Sequence, residues 1–224
     1  IEAKRTEFKT RKFKHMNTLQ LLNKGSVKLK FHKIKSFKLD SELILSKILK
    51  KSRESVLISL EKEINQKKID QYYDLISRRS SSEPIAYILN QKEFWSKLFF
   101  VNRNTLIPRP ETELLVERIV KKFKSKKISI LDIGTGSGCI LISLISEIQG
   151  SKGVGIDISN EAIKVAKINS KKHGTIGRIK FLKSSISRLL GRKYDVVVAN
   201  PPYIRSKDIN KLQNDIKNFE PKIA

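Results

Sequence analysis

The stretch from Ile128 onward constrains the chain most, because strand-like and helix-like segments alternate there. Apolar segments suited to strands lie at 128–133, 153–157, 178–182 and 194–199, with helical patterns near 138–148 and over 160–172. Strands separated by helices run parallel with right-handed crossovers, so this half of the chain predicts a doubly wound α/β sheet. In such sheets ligands collect outside the carboxyl ends of the strands. Two loops of unusual composition fall on that edge, after Ile133 and after Ala199.

The first loop belongs to ILDIGTGSGCI (130–140), a strand running into a glycine turn and then a helix. Gly134, Gly136 and Gly138 let the backbone turn tightly and let a ligand approach closely. The spacing is G-x-G-x-G. A dinucleotide fingerprint needs a glycine where Cys139 stands, and a phosphate loop needs Gly-Lys-Ser/Thr. GVGIDIS (153–159) ends the next strand with Asp157, placed to accept hydrogen bonds from both ribose hydroxyls of a nucleoside. Glycine turns and strand-end acids are each common structural features. Together, in this order and on one sheet edge, they point to a nucleoside cofactor without pyrophosphate, S-adenosylmethionine.

The second loop is Asn200-Pro201-Pro202-Tyr203. Two successive prolines lock φ and hold nearby carbonyls in fixed directions. The side-chain oxygen of Asn200 and the carbonyl of Pro201 can accept both hydrogens of a planar –NH₂ group. Such a nitrogen is a poor nucleophile, and two aimed acceptors orient it and support the positive charge that builds as it attacks a methyl group. Tyr203 can pack against the planar group. A rigid strand-exit turn is the purely structural alternative.

Other chemistries lack their residues. There is no G-x-S-x-G, H-E-x-x-H or CxxC, and three scattered histidines with one cysteine make no metal set. Cys139 and Trp95 read as packing residues. No apolar run reaches the roughly 20 residues of a membrane span, no signal peptide opens the chain, and a lone cysteine fits a reducing cytoplasm. The net charge of +25 is carried mostly by lysine spread along the whole chain. It suits a biased coding composition as well as a nucleic-acid-binding face, and either way favours acidic or ribosome-associated partners.

Residues 1–15 are basic and lack an apolar period. Translation is expected to begin at Met16, leaving 1–15 as upstream read-through or a basic tail. From about 17 to 80 the pattern is helical, and SSSEP (80–84) breaks it. LDSELILSKILKKS (39–52) places Leu39, Leu43, Ile44, Ile48 and Leu49 on one stripe with Asp40 or Ser41 as N-cap, and 55–64 and 68–80 read as further helices. Residues 93–108 read as two short strands joined by a turn, and 112–123 as a helix.

With these residues in place the chain resembles the release-factor glutamine methyltransferases (the PrmC/HemK family). The resemblance rests on LDSELILSKILKKSRE (39–54), RRSSSEPIAYIL (78–89), EFW (93–95), LIPRPETELLVE (106–117), LDIGTGSGCI (131–140), GIDIS (155–159), YDVVVANPPYI (194–204) and FEP (219–221). LIPRPETE is its most specific element. The resemblance implies a Rossmann-like class I methyltransferase domain over 112–224, preceded by a helical partner-docking domain over 16–90 and a β-hairpin linker over 91–111. It implies transfer of a methyl group to the side-chain amide of the glutamine in the GGQ motif of class 1 peptide chain release factors, by a cytoplasmic, monomeric enzyme with no direct need of nucleic acid.

By position, the resemblance assigns cofactor binding to Asp132, Gly134, Thr135, Gly136, Gly138, Asp157, Ser185 and Asn200. Catalysis falls to Asn200, Pro201 and Tyr203. Substrate binding falls to Pro108, Arg109, Pro110, Glu111, Asn200, Pro201, Pro202 and Tyr203. Three departures accompany it. FLKSSI (181–186) offers Ser185 where the family carries an acid, and Asn90 replaces a glycine at a position where Asn tolerates the left-handed conformation. The chain also stops at Ala224, shortly after the fourth strand, although doubly wound sheets have about six. The fourth strand is therefore expected to be an unpaired edge, and the sequence an incomplete copy. An amino-methyltransferase acting on adenine or guanine in nucleic acid, and an inactive fragment, are the alternative readings.

Overall fold

Four parallel strands, β5 (Ser129–Ile133), β6 (Lys152–Asp157), β7 (Ile179–Lys183) and β8 (Val196–Ala199), form a sheet of order β7-β6-β5-β8 in the computed structural model. The structure describes residues 16–189, 193–201 and 214–221, so the expected tail at 1–15 and the site calls Pro202 and Tyr203 lie outside the described residues. The chain divides between Leu89 and Asn90 into two compact units.

From residue 112 to 199 the expected strands and helices lie within one or two residues of their sequence positions. α6 (Glu113–Phe123), α7 (Cys139–Glu147) and α8 (Asn160–Lys172) carry the helical patterns. α7 is buried from Cys139 to Ile145 because it lies in the core shared with β5, β7 and β8. Its close approach needs Gly153 on β6, where an added Cβ would stand 2.6 Å from Leu141 Cδ1. Among the described residues β8 pairs only with β5, and Val197 on it is 56% exposed.

A hairpin opens this unit, with β3 (Gln91–Phe94) paired antiparallel to β4 (Lys97–Phe100). Its turn is Trp95-Ser96, both at positive φ (+51° and +52°), the conformation that matches the strand twist in a two-residue loop. The two expected strands are thus confined to 91–100, and 101–109 is a loop. Asn90 stands at φ +57°, as its tolerance of the left-handed region allows. Trp95 packs against the core and its indole N–H donates to Glu147 Oε1 (3.1 Å).

The first unit is helical: α1 (Thr18–Phe31), α2 (Phe37–Leu49), α3 (Arg53–Ile58), α4 (Gln66–Ser80) and α5 (Ile85–Leu89). Asn17 and Gln20 close α1 with a capping box. The helix expected over 55–64 ends at Ile58. The carbonyls of Leu60 and Lys62 accept from Leu19 and Thr18 N–H (3.0 and 2.9 Å), and Glu63–Ile64 pairs as β2 with β1 (Met16–Asn17). Satisfying the bare N–H groups at the start of α1 outweighs one more turn of helix.

The face of α2 also differs from its expected stripe. Ser41, Ile44 and Leu45 point inward with Asp40, while Leu39 is 43% exposed. Ser36, not Asp40 or Ser41, is the N-cap. Asp40 accepts from Ser36 Oγ (2.8 Å) and Arg79 Nε (2.6 Å), and Ser41 Oγ shares a hydrogen bond with Tyr72 Oη (2.5 Å). Polar residues that find buried partners rotate the inward face away from the purely apolar one. Among the described residues no helix is long and apolar enough to cross a membrane.

Candidate functional site

Register alone gathers most of the candidate residues. Ile133 on β5 pairs with both Ile156 on β6 and Ala199 on β8, and Asp157 pairs with Lys183 on β7. The residues that leave these strand ends, Gly134, Asp157, Ser185 and Asn200, therefore stand in one row at the carboxyl edge. They line a cavity of about 410 Å³, within the range of small-molecule sites. Thr135, Gly136, Pro108, Arg109 and Pro201 line it as well.

The glycine loop is held by its own hydrogen bonds. Thr135 N–H donates to Ile156 O (2.9 Å), and Gly136 N–H donates to Asp157 Oδ2 (3.0 Å). Asp157 Oδ1 accepts from Ser159 N–H (2.9 Å), at the start of α8. The acid thus braces the loop while keeping the remaining lone pairs of its oxygens for a ligand. A Cβ added at Gly134 would meet nothing within 4 Å, and one at Gly136 only the Gly134 carbonyl at 3.9 Å. Bare backbone faces open space at both, and the residues present fit a nucleoside cofactor pressed against the loop.

Gly138 and Asp132 do something else. A Cβ at Gly138 would stand 2.9 Å from Ile142 Cδ1 and 3.3 Å from Ala166, and its N–H donates to Thr135 O (2.8 Å). Gly138 therefore lets α7 pack closely and caps it at φ +79°, and it stands outside the cavity lining. Asp132 is fully buried beneath the loop rather than on the cavity surface, and its Oδ2 accepts from Thr135 Oγ1 (2.7 Å). Its Oδ1 has no hydrogen bond of acceptable geometry, although the nearby Leu141 N–H also favours the charged form. Burial, reinforced by the charge of Asp157, pushes the carboxyl up to about 6.

That shift has a sign. The folded protein keeps the proton up to about pH 6, while the unfolded chain releases it near 3.8, so stability falls as pH rises through this window and is level above it. Urea titrations of wild type and Asp132→Asn between pH 4 and 7 are expected to diverge in favour of the variant, by up to about 3 kcal/mol. Parallel curves would contradict the burial argument.

The loop at 101–112 contributes the remaining border. Pro108 is buried, whereas Pro110 and Glu111 start a short 3₁₀ turn, exposed and outside the cavity lining. Arg109 is engaged: its Nη2 donates to both carboxylate oxygens of Glu220 (2.8 and 2.7 Å), and the next residue, Pro221, lines the cavity. Sequence reasoning assigned no role to Glu220, since nothing in FEP points 111 residues back along the chain. Ser185 is exposed and its hydroxyl shares a hydrogen bond with Ser187 (2.8 Å).

Comparison with known proteins agrees with this architecture. Residues 20–89 match the family model of the PrmC N-terminal domain, and residues 124–222 match that of a methyltransferase domain. The release factor glutamine methyltransferase of Buchnera aphidicola subsp. Acyrthosiphon pisum is 40% identical over 206 residues, covering 92% of this chain and 73% of that protein. Its counterpart from Leptospira interrogans is 38% identical over 211 residues, covering 92% and 74%. A bifunctional methyltransferase of Rickettsia felis is 38% identical over 234 residues, and there the chain spans 44% of the relative's length. With its helical first unit, its class I methyltransferase sheet and relatives matched over most of both chains, the protein belongs to the release factor glutamine methyltransferase family.

Proposed function

We propose that the protein transfers a methyl group from S-adenosylmethionine to the side-chain amide nitrogen of the glutamine in the GGQ motif of class 1 peptide chain release factors. The observation that carries this reading is the row at the sheet edge, where open loop glycines and Asp157 stand beside Asn200 and Pro201 on a single cavity. Gly134, Gly136 and Asp157 would hold the cofactor, with Ser185 and Thr135 at its border. Bound there, the cofactor supplies an electrophilic methyl group on a sulfonium.

The chain's own part is orientation. Asn200 Oδ1 and the Pro201 carbonyl accept the two amide hydrogens of the glutamine, which fixes the plane of the nitrogen and favours the charge it gains. The proton lost afterwards passes to water, since the cationic N-methylated amide that the attack produces is strongly acidic and needs no dedicated base. Pro108 shapes the entrance, and the helical first unit would dock the remainder of the release factor. Family membership supports the substrate class.

Incubating the protein with S-adenosylmethionine and each class 1 release factor, then mapping the product by mass spectrometry, tests the proposal. One added methyl group on the GGQ glutamine is expected, and none on a factor whose glutamine is replaced by alanine. Methylation of an adenine or guanine in tRNA or DNA, with release factors untouched, would overturn it.

A further inference from the structure

We infer that Glu220 is a positioning residue for the methyl acceptor, acting through Arg109 as a latch on the loop that borders the cavity; the inference rests on the methyl-transfer reading above. Arg109 stands between Pro108 and Pro110, at φ −97° and ψ 139°, the extended conformation that a following proline imposes. Its side chain therefore leaves the loop in a restrained direction. It meets Glu220, whose side chain is 4% exposed against 31% for Arg109, through one nitrogen shared by both carboxylate oxygens.

The neighbours of Glu220 continue the connection. Arg103, in the same loop, lies over the Phe219 ring at 5.1 Å, and Pro221 lines the cavity alongside Pro108. Phe219 and Glu220 are thus applied to the loop at 102–112, and Pro221 extends the same border of the site. As a stability device a largely desolvated ion pair is weak, because burial opposes much of the attraction. Its location explains it better: it spans 111 residues of sequence to immobilise a wall of the cavity.

The cofactor-side loop has its own supports, Gly136 to Asp157 and Asp157 to Ser159, and none of them runs through Arg109 or Glu220. Breaking the latch should therefore separate acceptor binding from cofactor binding. Arg109→Gln, Glu220→Gln and the double variant decide this when acceptor KM, kcat, S-adenosylmethionine affinity and amide exchange are measured together. Each single variant is expected to raise acceptor KM by roughly tenfold, the scale of one charge-assisted pair, with kcat changed far less. Cofactor affinity should stay within about twofold, and the double variant should be no worse than the worse single one. In Glu220→Gln the amides of Thr105 and Thr112, bonded to the carbonyls of Asn102 and Arg109, should exchange faster.

Additive losses would mean that Arg109 touches the acceptor itself, and would overturn the role given to Glu220. A parallel fall in both affinities together with global stability would overturn it too. If the wild type methylates no release factor, the functional reading fails and the exchange at Thr105 and Thr112 decides the latch alone. Unchanged exchange in Glu220→Gln then overturns the latch.

Discussion

Asn200→Ala lowers the rate of methyl transfer to release factor by about 10²–10³-fold, the usual cost of removing one aimed group from a site that stabilises developing charge. The residue leaves β8 beside the glycine loop, because Ala199 pairs with Ile133 and both strands end there. Its amide oxygen is one of two acceptors proposed for the glutamine –NH₂, and alanine leaves that hydrogen without a partner. The Pro201 carbonyl, as backbone, survives the substitution, so the loss stops short of the uncatalysed rate. Cofactor affinity changes far less, since most of its contacts are proposed for Gly134, Gly136 and Asp157. Asn200→Asp retains an acceptor oxygen and should keep more activity than the alanine variant. Single-turnover rates at saturating cofactor, with cofactor affinity measured separately, give the comparison. A rate loss matched by an equal loss of cofactor affinity would place Asn200 on the cofactor instead.

Local chemistry made the second unit readable. Strand and helix each announce themselves by composition between Ile128 and Ala199, and a parallel sheet leaves one edge for ligands, so Gly134, Asp157 and Asn200 could be set together without coordinates. What escaped were distinctions made by distant packing. Gly134 and Gly138 look alike in a G-x-G-x-G loop, yet one faces open space and the other the side chains of Ile142, Ala166 and Phe181. Arg109 was legible as a residue of the site, but its engagement by Glu220 was not. The contacts of Gly138 with Ala166 and Phe181, like that of Arg109 with Glu220, join segments far apart in the chain, where periodicity carries no information.

The helical unit shows the same limit in energetic form. An apolar stripe through Leu39 and Leu43 is the natural reading of α2, and it treats Asp40 as a cap at the surface. Instead Asp40 is 2% exposed. The partner that makes this tolerable, Arg79, lies on α4 and is recognisable only once α2 and α4 are packed.

From that burial follows the largest expected effect on stability. Arg79→Ala should destabilise the helical unit by about 3–5 kcal/mol, because among the described residues it leaves the buried Asp40 carboxylate with only Ser36 as a side-chain donor and removes the donor to the Glu83 carbonyl (2.9 Å). Domains are stable by only about 5–15 kcal/mol, so a unit of this size would become marginal. The neighbouring Arg78 cannot compensate, since its guanidinium is occupied by the Glu83 carboxylate (2.9 and 2.7 Å). Replacing both partners, Arg79→Met with Asp40→Leu, should recover most of the loss, as apolar pairs of similar volume remove the desolvation cost of both charges at once. Urea titrations followed by amide exchange in α2 and α4 isolate this unit from the other. If the double variant is as unstable as Arg79→Ala, the guanidinium's own hydrogen bonds to Asp40 and the Glu83 carbonyl, and not the orphaned carboxylate, are what the unit depends on.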